Sequence, residues 1–174
     1  IIGSKSYKSL HHVDALLDRL YDDQQARGRV YQIVSATEPA SMVSRRAPAM
    51  DRVDECAIRY ARGIGLQTLT SGRTRKDWEE FDGDPSIDKR LFVVDNADAI
   101  AAFWDLQSTN TADVLDCAMG LNKRVEIYRP DGSKVPPEFL GEAVRNARRG
   151  FTGGSHGRTA SGCHRFSVPG NTGS

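Results

Sequence analysis

Four consecutive polar side chains, Ser108-Thr109-Asn110-Thr111, follow the aromatic pair Phe103-Trp104 at the end of an apolar run of strand length. Hydroxyls and a carboxamide on a turn that feeds a helix can hold a phosphate. The first N–H groups of a helix have no partner inside it and carry positive partial charge. The same hydroxyls can instead cap the helix in the ordinary way, so both readings stand at this stage. Trp104 either lines the mouth of such a pocket or packs into the core. Further candidates are Gly3, Ser4 and Lys5 at the end of a first strand, Ser35 at the end of a second, and Arg90 on a helix. Arg45, Arg46 and Arg52 can clamp a phosphate if their loop folds over the strand ends; otherwise they form a solvated surface. His156, Cys163 and His164 lie close in sequence but match no zinc spacing, and His11 and His12 begin a helix face as surface residues. No metal set and no cofactor is expected.

These residues need a scaffold, and hydrophobic periodicity supplies one. Ile1-Ile2-Gly3-Ser4 reads as the end of a first strand running into a turn. Leu10, Val13, Leu16, Leu17, Leu20 and Tyr21 repeat at helical spacing through about Gln25, and Gly28 stops them. Residues 30–34 make a second strand and 35–48 a polar loop. Helical spacing resumes at Met50, Val53, Ala57, Ile58 and Ala61 and ends at Gly63 and Gly65. Residues 66–69 make a third strand, and 71–84 a charged loop holding Trp78 and Phe81. Residues 85–96 read as a helix with Ile87, Leu91 and Val94 on one face. The apolar run is the fourth strand, residues 111–121 a helix, 124–128 the fifth strand, and 137–149 a last helix with Pro in its first turn. Strands alternating with helices predict an α/β fold: a Rossmann-like three-layer sandwich of about five parallel strands with helices on both faces.

The 174 residues suffice for one domain, expected over 1–149. A net charge of +1 excludes a global field that would pull the chain onto nucleic acid or an anionic membrane. No apolar run approaches the roughly 18 residues that span a bilayer. Three cysteines without Cys-x-x-Cys spacing read as structural small hydrophobes, Cys56 and Cys117 on buried helix faces, which favours a cytoplasmic or, for a phage protein, virion-associated setting. The chain opens at Ile1 with no secretory leader and no initiator Met, as expected if upstream residues are absent. Residues 150–174 form a tail with seven Gly and no acidic residue. It is too poor in apolar residues to order itself, so it is expected to lie along another copy of the chain or a neighbour in a larger assembly. Arg158 and Arg165 give it charge, and Phe151, Phe166 and Val168 are its anchors.

The stretch 98–128 resembles the SLOG superfamily, the Rossmann-like group that includes the LOG phosphoribohydrolases and the DprA/Smf DNA-processing proteins. Its YspA-like branch is the nearest pattern. That branch opens with a strand and Gly-Ser-Arg, here Gly3-Ser4-Lys5, and continues with a loop-bearing strand at Val34-Ser35 and a Trp after the third strand, here Trp78. Its signature Ala-Asp-x-x-x-Ala-Phe-Trp-Asp-x-x-Ser-x-Gly-Thr runs here from Ala97 to Thr111. The likeness covers about residues 1–128 and departs at defined places. Asn110 replaces the Gly that lets backbone approach phosphate; Asn tolerates a left-handed turn, but its side chain narrows the approach. Glu38-Pro39-Ala40-Ser41-Met42 replaces a Gly-rich loop, and the Gly-Pro-x-Arg-Asn helix start becomes Asp84-Pro85-Ser86-Ile87-Asp88-Lys89-Arg90, which keeps a cation. Related hydrolases place a Glu three residues after the loop Thr. Val114 stands there, and it can neither attack nor take a proton. Asp113 is one residue off, about 100° around the helix, and Asp116 lies further along. The resemblance implies a non-catalytic module that binds a nucleotide or ADP-ribose-type ligand. Two alternatives stand beside it: an interaction subunit of a larger assembly, phage or bacterial, and an N-glycosidic hydrolase or transferase using Asp113 or Asp116.

Overall fold

Glycine punctuates the helices in the way the sequence suggests. Helix α1 (His11–Arg27) ends on Gly28 at φ 66°, whose N–H donates to Gln24 O, and α2 (Val53–Ile64) ends on Gly65 at φ 87°. The computed structural model describes residues 1–39 and 52–149. Within them lie five strands, β1 (Ile2–Gly3), β2 (Gln32–Ser35), β3 (Gln67–Thr70), β4 (Ala99–Phe103) and β5 (Arg124–Tyr128), with helices between them. All named pairings are parallel. They form a three-stranded sheet β1-β4-β5 and a two-stranded sheet β2-β3. The Ile1 nitrogen links the two by donating to Val34 O at 2.9 Å.

Side chains alternate across β4 and feed two apolar clusters. Ile100 and Ala102, with Trp104 just beyond, join residues of α4 (Pro85–Asn96), α5 (Thr109–Gly120) and α6 (Leu140–Arg149). Phe103 joins α1 and α2 through Leu17, Val53, Ala57 and Ile58. In β5, Ile127 goes to the first cluster and Tyr128 to the second. Phe103 stacks on Tyr128 at 4.8 Å and takes Tyr7 edge-on at 5.5 Å. The protein is thus mixed α/β with parallel strands.

Four local expectations change. The charged loop holds a short helix, α3 (Arg75–Glu79), set by a reciprocal capping box between Thr74 and Asp77. Ile87 and Leu91 of α4 are each 39% exposed, while Val93 and Val94 are buried. Val94 is therefore buried as the spacing suggested, but only the carboxyl half of α4 packs, which leaves Ile87 and Leu91 partly exposed. Helix α5 begins at Thr109 rather than 111. Cys56 is free and only half-buried rather than on a buried face, whereas Cys117 is buried as expected. The expectations for Arg45, Arg46 and the tail from 150 onward lie outside the described residues. Among the described residues no helix is long and apolar enough to cross a membrane.

Candidate functional site

Parallel pairing sets the carboxyl ends of β1 and β4 side by side, with Ser4 N donating to Phe103 O at 3.1 Å. Ser4 is buried, and its Oγ lies 3.2 Å from Ser6 Oγ and accepts from Asp105 N at 3.4 Å. Asp105 organises the turn. Its Oδ2 accepts the Ser6 hydroxyl, and its Oδ1 accepts Gln107 N at 3.0 Å and Ser108 N at 3.2 Å. Burial raises the Asp105 pKa, but the hydrogen bonds from Ser6, Gln107, Ser108 and Ser4 outweigh it and hold it below the usual carboxylate range. A fixed negative charge therefore stands at this strand end, where sequence reasoning placed only ligand contacts. The signal was present: Asp105, three residues before a helix-cap Ser, is an Asx-turn pattern.

The left-handed residue of the turn is Leu106, at φ 63°, and not Asn110, which lies within α5. That corrects the expectation of a left-handed Asn110. Ser108 occupies the N-cap position of α5, yet its side chain caps none of the first amides. Its Oγ accepts from Thr111 Oγ1 at 3.2 Å, and its carbonyl accepts Trp104 Nε1 at 3.2 Å. Trp104 is fully buried, as the packing reading had it, and Thr111 is buried. Thr109 is half-buried and Asn110 exposed. At the end of β2, Ser35 is fully buried and closes on itself through Thr37 N at 3.2 Å. A Cβ on Gly3 would lie 2.5 Å from Val53 Cβ, so this glycine serves the approach of α2.

Three cations near this frame act on one another: Lys5, which is exposed, Arg52 at the N-cap position of α2, and Lys89 on α4, where Arg90 is the next residue. The Lys89 pKa is lowered, by burial first and then by Arg52 and Lys5, against the raising effect of Asp54 and Glu55. Its Nζ also lies 5.2 Å from the Trp78 ring. Among the described residues, none of these four cations makes an ion pair. The Nε atoms of Arg52 and Arg90 are buried and find no acceptor among the described residues. Sequence reasoning missed Lys89 because adjacent basic residues on a helix usually mark a solvated face.

The two carboxylates considered for catalysis point elsewhere. Asp113 Oδ1 lies 3.3 Å from Arg148 Nε, and Asp116 Oδ2 pairs with another nitrogen of that guanidinium. Both tie α5 to α6. Val114 packs against the core. Among the described residues no group of three or more His, Cys, Asp or Glu could hold a metal ion. Comparison with protein-family models, curated proteins and solved structures finds no match to this chain.

Proposed function

We propose that the chain is a non-catalytic module that binds a nucleotide or ADP-ribose-type ligand on a Rossmann-like three-layer scaffold related to the YspA-like branch of the SLOG superfamily. The observation that carries this reading is the cation group Lys5, Arg52 and Lys89, with the Nε atoms of Arg52 and of the neighbouring Arg90 buried and lacking an acceptor among the described residues. A buried donor without a partner costs about 1–3 kcal/mol, which a phosphate oxygen would recover. Asp105 already fills the turn before α5, so the anionic group belongs on the cation side, with Thr109 and Asn110 left for neutral parts of the ligand. The absence of an available carboxylate near Val114 supports binding over glycosidic cleavage.

Thermal-shift titration with AMP, ADP and ADP-ribose tests this reading. A micromolar ligand at ten- to hundredfold excess should stabilise the protein by roughly 1–3 kcal/mol. Lys89→Gln and Arg52→Gln should each weaken binding by about tenfold or more, the loss of one charge-assisted contact. No shift with any of the three ligands overturns it.

A further inference from the structure

At the opposite, amino end of the strands lies a cleft of about 680 Å³ between β2 and β4. Its walls are strand edges. Gln32 and Ile33 of β2 line one side and Ala99, Ile100 and Ala101 of β4 the other. β2 spends its ladder on β3, and β4 from Ala99 to Ala101 pairs only with β5. Between them β1 is only two residues long and stops at the cleft. An unpaired edge is a template for another strand, and here two such edges face one gap.

We propose that this cleft is a strand slot, filled by an extended segment amide-linked to the Ile1 nitrogen and running parallel between β2 and β4. Register follows from the existing pairing. Ile2 lies opposite Ala102, so the residue before Ile1 falls opposite Ile100 and the one before that opposite Ala99. Ile1 N already donates to Val34 O; the N–H two residues earlier would meet Gln32 O, the next acceptor along a parallel ladder. Side chains alternate. Ile1 faces the α1/α2 cluster and Ile2 the other one, so the residue two before Ile1 faces Leu16 and Leu20 of α1. Both faces are covered, which calls for consecutive apolar residues. Arg19, Arg29, Asp98 and Arg124 also line the cleft, so a polar residue completes the segment. The state of the Ile1 ammonium agrees: it is fully buried, and burial lowers its pKa to about 6 against the raising effect of Asp54. An amide N–H at the same place carries no charge to desolvate.

The test compares three chains extended ahead of Ile1 by Lys-Val-Val, by Gly-Ser-Gly, or by Lys-Pro-Val. In the third, Pro removes the N–H meant for Gln32 O. The Lys-Val-Val chain should melt higher than both others, and the N–H of its first Val, the one meant for Gln32 O, should exchange with deuterium roughly tenfold or more slowly than the matching Gly-Ser-Gly amide. Added amides that exchange at unstructured rates, or a Lys-Pro-Val chain as stable as the Lys-Val-Val chain, overturn the proposal.

Discussion

Gly3 has no side chain because Val53 occupies the space, which differs from the ligand-approach role that Gly-Ser-Lys suggests. Gly3→Ala should destabilise the protein by about 1–3 kcal/mol through overpacking, since the added carbon would lie 2.5 Å from Val53 Cβ. In a denaturation cycle with Val53→Ala, the double variant should be more stable than the sum of the two single losses predicts. Simple additivity would show that Val53 is not the obstacle. Asp105 makes the complementary case, since its carboxylate holds both the turn amides and the Ser6 hydroxyl. Asp105→Ala should cost about 1–3 kcal/mol in urea unfolding, because it leaves Gln107 and Ser108 amides without their acceptor. A loss under about 0.5 kcal/mol, the scale of an unremarkable surface change, would count against the turn depending on it. Of the candidate residues, Ser4 and Ser108 are brought together, but only through Asp105, which was not among them. Their division of labour was not legible, because hydroxyls and carboxylates satisfy one another before any ligand arrives, and sequence spacing does not say which.

Elements were legible where periodicity and caps agree. α1 and α2 stop on Gly28 and Gly65, and every expected strand has a counterpart. Reading failed where local chemistry outweighed pattern. Five residues are too few for periodicity to reveal α3, yet Thr74-x-x-Asp77 carried the capping-box signal. The apolar residues of α4 misled in part: Val94 is buried, but Ile87 and Leu91, nearer the amino end of the helix, remain partly exposed. Helix α3 also anchors the end of β2. Trp78 is buried, its Nε1 donates to Ala36 O at 3.0 Å, and Arg73 covers its ring at 4.8 Å. Trp78→Phe keeps most of the ring burial but deletes that donor. Ser71 Oγ also donates to Ala36 O, at 2.5 Å, so the carbonyl keeps one partner. The expected cost is therefore about 1 kcal/mol, that of one hydrogen bond, whereas Trp78→Ala should cost about 3–5 kcal/mol. Equal losses for the two variants in urea unfolding would mean that the hydrogen bond, not the packing, holds α3 in place.

On the scale of the whole molecule, the two sheets meet where the Ile1 nitrogen donates to Val34 O. Stability on the acid side rests on a carboxylate of β5. Burial pushes the Glu126 carboxyl up, but hydrogen bonds from Lys134, Tyr128 and Arg124 outweigh it and bring its pKa to about 2 from an ordinary 4.5. Its contribution is present above pH 4.5 and is lost as pH falls toward 2; solvent around the largely exposed Arg124 limits it to about 1–2 kcal/mol. Urea midpoints should then fall as pH drops below 4.5. Glu126→Gln should remove most of that fall, and a fall of unchanged size in the variant would assign it to other carboxylates.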